Sequence, residues 1–303
     1  MLDSIHYQAA RIAMPEHDTL RRFIFEKLPV QGRSVHLDAS WRAVLERRDY
    51  PVQVRTLLGE AMAAMALLSA TLKYEGTITL QIQGNGPVPL LVVQCTSGFN
   101  LRGLAHWHGE SLPAGLKDLL GDGRLVITIE PSGQGERYQG IVPLEGDNFA
   151  QCLEGYFQRS EQLPTRLWLT AGAESAAGLL LQVLPQREPD PDAWQHVTVL
   201  ADTLKPQELD TLPAEQLLHR LYHEEDVRLF EAMPVAFRCR CARGSIEATL
   251  RGLGESEVRG VLKEQGRVHV DCEFCGHGYD FDEVDVAALF SGALASSGSG
   301  TRH

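Results

Sequence analysis

The sequence has no hydrophobic segment long enough to cross a bilayer, and no apolar stretch behind a basic start that would resemble a secretory signal. Its longest strongly apolar run is Ala61–Leu72, whereas a spanning helix needs about 20 apolar residues. We interpret this run as part of a buried helix. We therefore expect a cytoplasmic protein without a membrane partner, in a compartment where cysteines stay reduced.

Positive charge is also scarce. The chain has 28 Lys+Arg against 40 Asp+Glu, a formal net charge of −12. The deficit is concentrated towards the C-terminus, where residues 185–231 hold 11 acidic and 4 basic side chains. Proteins that bind nucleic acid normally present a basic face to the phosphate backbone. The composition therefore predicts no nucleic-acid partner.

Recognisable catalytic patterns are absent as well. No Ser–His–Asp combination, carboxylate pair or Walker loop stands out. The G-x-G at Gly84–Gly86 is not followed by a helix pattern and is typical of a hairpin turn between two strands. His106 and His108, on either side of Trp107, are interpreted as strand residues. We expect no enzyme active site and no bound nucleotide.

What is present first is a domain of mixed secondary structure over residues 1–184. Residues 54–73 read as a long helix whose apolar side chains surround most of its circumference, so it should be buried in the centre. Asp38 or Ser40 should cap an earlier helix, and Asp147 a later one. Runs of strands without regular βα alternation favour an α+β fold, with a mostly antiparallel sheet, over a doubly wound one.

Composition changes at residues 185–194, which are rich in proline and acid. Three short amphipathic stretches follow, at residues 194–204, 213–223 and 224–230. Isolated helices of this length are marginal in water, so they need a neighbour on which to bury their leucines. We interpret residues 185–234 as a helical, metastable linker. An ordinary helical subdomain is the alternative that the sequence leaves open.

A small C-terminal module, residues 235–290, contains four of the six cysteines. Cys239 and Cys241 form C-x-C, and Cys272 and Cys275 form C-x-x-C after 30 intervening residues. Modules this small often need a metal to fold, and four thiolates match a closed tetrahedral zinc site. We predict that these four residues bind Zn²⁺.

Several nearby residues need separate interpretations. A complete Cys₄ set leaves no place for His269 or His277 as ligands. Cys95 and Cys152 lie alone in the sequence and are interpreted as buried apolar residues. The tail, residues 291–303, is small and polar and is expected to be disordered.

The C-x-C spacing has a consequence of its own. In an extended segment residues i and i+2 face the same way, so both sulfurs can reach one metal, or form a short, easily reduced disulfide. Arg238, Arg240 and Arg243 should favour the oxidisable thiolate. Structural zinc contributes about 10–16 kcal/mol in small finger peptides, against about 5–15 kcal/mol for the net stability of a domain. Oxidation should therefore unfold the module, and a marginal linker could follow.

Two other functions remain open on this pattern. Small zinc modules can be ribbons that bind nucleic acid, although the acidic charge disfavours this. The C-E-F-C motif could belong to a thiol–disulfide oxidoreductase, but such motifs normally open a helix, and here the sequence Gly-His-Gly-Tyr follows.

The whole chain, short of its tail, resembles the heat shock protein 33 family of bacterial redox-regulated holdase chaperones. The motifs that carry the resemblance are FRCRC and CEFCG near the C-terminus, GTITLQIQGNGPVPLLVVQC and LRGLAHW in the first domain, and HVTVLADTLKPQEL and HEEDVRLF in the linker. Cys95 and Cys152 are outside the family motif.

The resemblance implies a mechanism. The reduced, zinc-bound form would be inactive. Peroxide or hypochlorous acid, together with an unfolding stress, would pair Cys239 with Cys241 and Cys272 with Cys275 and release the zinc. The linker would then unfold and the protein would dimerise. It would hold aggregating client proteins without ATP and later pass them to ATP-dependent foldase chaperones.

Overall fold

A computed structural model describes residues 17–133, 135–185 and 190–291, and its chain divides into two units, up to Arg238 and from Cys239 onward. The fold is α+β, as predicted. Of the predicted tail, residues 291–303, only Ser291 is described, and it ends a helix; residues 292–303, and residues 186–189 of the proline-rich boundary, lie outside the described residues. Within them, no helix is both long and apolar enough to cross a membrane. The separate limits of core domain and linker stay a prediction.

The strands of the first unit form two mainly antiparallel sheets. They are β1 (Thr19–Phe25), β2 (Val30–Leu37), β3 (Gly76–Gln83), β4 (Leu90–Thr96), β5 (Asn100–His106), β6 (Arg124–Pro131), β7 (Tyr138–Pro143), β8 (Thr165–Ala171), β9 (Ala176–Val183), β10 (Val227–Leu229), β11 (Met233–Pro234) and β12 (Ala236–Phe237). Sheet one has the order β10-β1-β2-β9-β8, with β11 also on β1, and sheet two has the order β12-β5-β4-β3-β6-β7.

Helices fill the space around these sheets. They are α1 (Ala39–Leu45), α2 (Val52–Ser69), α3 (Leu116–Leu120), α4 (Phe149–Tyr156), α5 (Pro191–Ala201), α6 (Pro206–Thr211) and α7 (Ala214–Tyr222), with a π-helical turn at Phe157–Glu161. Helix α2 lies between the sheets, against β2, β8 and β9 on one side and β4 and β5 on the other. The expectation of a central buried helix is therefore confirmed. A Cβ on Gly59 would approach that of Ala171 to 2.5 Å, so this contact requires glycine.

Sheet one is covered on both faces. Strands β2 and β9 lie over α2 on one face, and α5, α6 and α7, which we call the linker helices, lie over the other. The covering cluster consists of Phe23, Phe25, Val30, Ala177, Leu179 and Leu181 from the sheet, and Val197, Ala201, Leu209, Leu217, Leu218, Leu221 and Tyr222 from the linker helices. All eight residues of β9 are therefore buried. The leucines of the linker do bury themselves on a neighbour.

Three local predictions need correction. The stretch at residues 224–230 is not a helix, because Val227–Leu229 pairs antiparallel with β1. Helix α4 is capped by Asn148, whose side chain accepts a hydrogen bond from the Gln151 backbone, and not by Asp147.

The central helix also ends earlier than predicted. Both the backbone N–H and the hydroxyl of Thr71 donate to the carbonyl of Leu68, at 2.9 and 2.7 Å, which closes the last turn. The first predicted cap is confirmed: the Asp38 side chain accepts from the Ala39 N–H.

The second unit is small. Its elements are α8 (Arg243–Leu253), α9 (Glu255–Gln265), β13 (Val268–Asp271), β14 (Gly278–Phe281) and α10 (Glu283–Ser291). Strands β13 and β14 form an antiparallel hairpin. Among the described residues, the buried side chains of its core are those of Leu250, Val258, Val268, Phe281, Val286, Leu289 and Phe290. A core of this size rarely stabilises a domain without help from a metal or a disulfide.

Candidate metal centre

The four predicted ligands come together in the second unit. The sulfur atoms of Cys239, Cys241, Cys272 and Cys275 all lie within 4.8 Å of one another. The Cys239–Cys272 and Cys241–Cys275 sulfur separations are 3.6 and 3.3 Å. Four sulfurs at about 2.3 Å from one Zn²⁺ in a tetrahedron would be about 3.8 Å apart. The donor set and its spacing therefore fit a single tetrahedral ion.

Local backbone geometry places each sulfur. Cys239 and Cys241 lie in the segment before α8, and Cys272 and Cys275 lie in the loop between β13 and β14. In that loop the N–H groups of Cys275 and Gly276 both donate to the Cys272 carbonyl, at 3.2 and 2.7 Å. Gly276 has a φ of +67°, the left-handed conformation that glycine adopts without strain. The loop thus folds back tightly enough to direct both sulfurs to one point.

His269 and His277 have partners other than the cysteines. His269 hydrogen-bonds to Asp280 at 2.8 Å and to Asp271 at 3.2 Å, and the bond to Asp280 is the main reason why its pKa is raised. The ring of His277 packs edge-on against that of Tyr279. Neither His269 nor His277 belongs to the cluster of four cysteine sulfurs.

Electrostatics around the cluster differ from the expectation. Burial raises the pKa of Cys272, and it raises that of Cys275 to about 12. Arg243, which we expected at the thiols, pairs with Asp285 at 2.8 Å and lies over the Phe281 ring. Arg243 is thus engaged by a carboxylate, and burial opposes thiolate formation at Cys272 and Cys275. A bound divalent cation would supply charge that favours the thiolates.

The cysteine cluster has one further contact, which no motif in the sequence indicates. The hydroxyl of Tyr279 hydrogen-bonds to the Cys241 sulfur, and this bond is the main cause that raises the pKa of Tyr279 to about 12. The tyrosine is four residues beyond Cys275, on β14. Tyr279 lies opposite Val270 in the hairpin register, which puts it beside the cysteine cluster. Its contact with the cluster could be predicted only from the pairing of β13 with β14.

The remaining cysteines are buried in the first unit, Cys95 in β4 and Cys152 in α4. Burial raises the pKa of Cys95 to about 12 and that of Cys152 to about 11. Both are therefore unreactive thiols at neutral pH, consistent with their interpretation as apolar core residues.

The rim of the linker helices carries several polar contacts to sheet one. Asp202, at the end of α5, accepts from Arg166 at 2.9 Å and from Trp168 at 3.1 Å. The backbone carbonyl of Asp210 lies 2.8 Å from the imidazole of His36 on β2. These contacts are exposed or half-buried, so each stabilises the cover only modestly. The nearly continuous apolar sequence of β9 is the feature of the sequence that indicates a strand buried on both faces, and hence a cover on this face of sheet one.

Comparison with known proteins identifies the family. A family model described as Hsp33 protein matches residues 18–282. The chain belongs to the Hsp33 family. Its Hsp33 relatives include the 33 kDa chaperonin of Nitrosococcus oceani, 50% identical over 290 residues that cover 96% of this chain and 100% of the relative. The 33 kDa chaperonin of Pseudomonas aeruginosa is 48% identical over 298 residues, with 96% and 100% covered.

A solved structure shares the fold. The 33 kDa chaperonin (heat shock protein 33 homolog) of Thermotoga maritima matches with a TM-score of 0.80 at 23% identity, covering 92% of this chain and 100% of that one. Membership in the Hsp33 family makes this chain a member of a chaperone family. Its relatives are named chaperonins and not enzymes.

Proposed function

We propose that this chain is a redox-regulated, ATP-independent holdase of the cytoplasm, inactive when reduced and zinc-bound and active when oxidised. The observation that carries the proposal is the cluster of four cysteine sulfurs within 4.8 Å of one another, in a unit whose own core is small. Because its core is small, the second unit would depend on the metal for its fold, and oxidation of the cysteine ligands would unfold it.

In the reduced state Cys239, Cys241, Cys272 and Cys275 hold Zn²⁺ as thiolates. The bound ion supplies charge stabilisation and the cross-link that the small core lacks. Tyr279 donates a hydrogen bond to the Cys241 sulfur and so restrains its position.

Oxidation removes the ligands in pairs. Cys239 with Cys241, and Cys272 with Cys275, each give up two electrons to one molecule of peroxide. The sulfur–sulfur bond forms, the oxygen–oxygen bond breaks, and with two protons the peroxide becomes two molecules of water. A disulfide sulfur is a poor ligand, so the site can no longer hold its ion. The free energy of zinc binding that the second unit then loses is about as large as the whole net stability of a typical domain, so the unit unfolds.

The linker helices cover the surface that clients would bind. The linker helices cover an apolar face of sheet one that includes Phe23, Phe25 and Leu179. The chain that follows them leads directly into Cys239. When the second unit unfolds, the linker loses one ordered end, and its short helices unfold in turn. The exposed face binds unfolding clients, promotes dimerisation, and releases clients to ATP-dependent foldases after reduction.

The test compares the reduced, zinc-loaded protein with the peroxide-oxidised protein. A thermally unfolded client is followed by light scattering, zinc release by a chromogenic chelator, and fold by far-UV circular dichroism. We expect protection only after oxidation, with zinc release and loss of helix in the same time range. Equal protection by the reduced protein would refute the switch.

The oxidoreductase alternative is less well supported. The C-x-x-C pair is followed by β14 and not by a helix, so no helix N-terminus lowers the pKa of its thiols. Catalytic reduction of an insulin disulfide by the protein would revive this alternative. The nucleic-acid alternative would be revived by salt-dependent gel-shift binding of the reduced form.

A further inference from the structure

Residues 223–238 connect the last linker helix to the first predicted zinc ligand, and we call residues 226–238 the strap. The strap contains β10 and β11, which pair with β1, and β12, which pairs with β5. It therefore occupies the outer edge of sheet one and then the outer edge of sheet two. Its end at Arg238 still donates a backbone hydrogen bond to the Leu101 carbonyl, at 2.9 Å.

The strap is held mainly by its backbone. Val235 is its one buried side chain, while the others are half-buried or exposed. Along β1, the backbone N–H of Glu26 donates to the Asp226 carbonyl, and the backbone N–H of Phe230 donates to the Arg22 carbonyl, each at 2.9 Å. Segments with few buried contacts and exposed backbone hydrogen bonds have low free energies of local opening. The strap should therefore open more easily than the core of the first unit.

Beneath the strap lies a regular strand edge. The contacts at Arg22 and Glu26 show that even-numbered residues of β1 direct their N–H and C=O groups outward, and odd-numbered residues direct theirs to β2. Ile24 therefore also faces the strap, opposite Arg228. Once uncovered, this row of unpaired groups is a template for another extended chain.

We propose that the edge of β1, after the strap has left, captures an extended segment of an unfolding client as an added antiparallel strand. This inference rests on the proposed function, because oxidation must first free the strap. The bound segment would have apolar residues at alternating positions. Val227 and Leu229 of the strap pack at the border of the apolar cluster that the linker helices cover, so alternate client side chains would reach the same surface.

Recognition through backbone hydrogen bonds also suits an unfolding client. Hydrogen bonds to a strand edge do not depend on side chains, so one edge accepts many sequences, as a holdase requires. A second copy of this chain fits less well. Two β1 edges paired antiparallel about their centre would bring Arg22 opposite its own copy, and Arg21 is its neighbour. Like charges directly opposite each other destabilise a strand pair.

The experiment uses the strap as a synthetic ligand for the full-length protein. A fluorescent peptide with the sequence of residues 224–232 is made in three forms. One is unmodified, one is N-methylated at the amides of residues 228 and 230, which face β1, and one is N-methylated at 227 and 229, which face away. The two methylated peptides have the same composition and the same number of methyl groups. Binding to oxidised and to reduced protein is measured by anisotropy.

We expect the oxidised protein to bind the unmodified and the outward-methylated peptides alike, and to bind the inward-methylated peptide about tenfold more weakly or worse. The reduced, zinc-loaded protein should bind none of them, because the strap is in place. The unmodified peptide should also compete with a thermally unfolded client for the oxidised protein.

The outcomes separate the two proposals. Equal binding of both methylated peptides overturns the inference, because recognition would then be by side chains. If the oxidised protein suppresses aggregation yet binds no peptide, the inference fails and the proposed function stands. If it suppresses no aggregation at all, the proposed function fails and this inference with it. If sedimentation shows that the peptide binds only by converting dimers to monomers, the edge belongs to a second copy, and the client is excluded from it.

Discussion

Leu217, on α7, is the position where the hold of the linker on sheet one can be weakened most directly. Its side chain is 2% exposed and belongs to the cluster that joins the linker helices to the sheet. Leu217→Ala removes apolar contacts from this cover without touching the cysteines or the central helix. We expect it to activate the reduced protein in part.

The magnitude follows from the burial. A fully buried Leu→Ala change costs about 2–5 kcal/mol, while the same change at Leu253, which is 61% exposed, should cost at most about 0.5 kcal/mol. If the cost falls on local opening of the linker, every 1.4 kcal/mol raises the open population about tenfold. Leu217→Ala should then raise it by a factor of roughly 30 to a few thousand.

Two measurements on reduced, zinc-loaded protein check this. Amide hydrogen exchange over residues 191–222 should accelerate by that factor in Leu217→Ala and stay at the wild-type rate in Leu253→Ala. Suppression of client aggregation, absent in the reduced wild type, should appear in Leu217→Ala alone. Zinc content is measured in each sample, so that activation by metal loss is recognised.

Two results would refute the reasoning. Uniform acceleration of exchange across the first unit would mean that the linker helices do not open separately from the rest. Faster exchange confined to residues 191–222 with no gain in client protection would mean that the covered face is not the client surface.

Three further predictions concern buried ionisable groups and the metal. Burial raises the pKa of Glu60 to about 7, so the folded state keeps a proton that the unfolded chain releases near pH 4.5, and the unfolding free energy should fall between these values as the pH rises. Glu60→Gln should abolish this fall, which amounts to at most about 3 kcal/mol, in urea titrations at pH 5 and 8; the exposed Glu110→Gln is the control. Chelating the metal from reduced protein should lower the helical dichroism by the contribution of α8 to α10, and readdition of Zn²⁺ should restore it. Iodoacetamide at pH 8 should then label the four unfolded ligand cysteines before Cys95 and Cys152, and a peptide map showing these two labelled first would contradict their assignment.

The metal centre was the part of the molecule most fully predictable from sequence. Zinc ligation depends on the identity of the ligand side chains and on two tight local spacings, and both are visible in the chain. The structure brings together the sulfurs of all four predicted residues, and their binding of zinc stays a prediction. What it corrected was the environment: Arg243 pairs with Asp285, a residue more than forty positions away that no local pattern connects to it.

Non-local pairing accounts for the errors in the strands. The residues of β1 read as Thr-Leu-Arg-Arg-Phe-Ile-Phe, where two arginines interrupt the alternation, and no strand was predicted. Residues 224–230 are a short run whose apolar positions fit either period. The strand with which this run pairs decides between helix and strand. Val227 lies opposite Phe25 and Leu229 lies opposite Phe23, about 200 residues away in the chain. Strand preference depends on such neighbours more than on the run itself.

The arrangement of the two apolar clusters explains how a linker can open while its domain stays folded. Leu180 of β9 faces the cluster around α2, whereas Leu179 and Leu181 face the cluster under the linker helices. The larger cluster joins α2 to both sheets and contains no residue of the linker helices. Loss of the cover therefore removes contacts from one face of sheet one and leaves the other face packed. When the linker helices leave, β9 stays in place because its other face still packs on α2. Exposure of one face of sheet one without unfolding of the domain therefore depends on α2 more than on the linker.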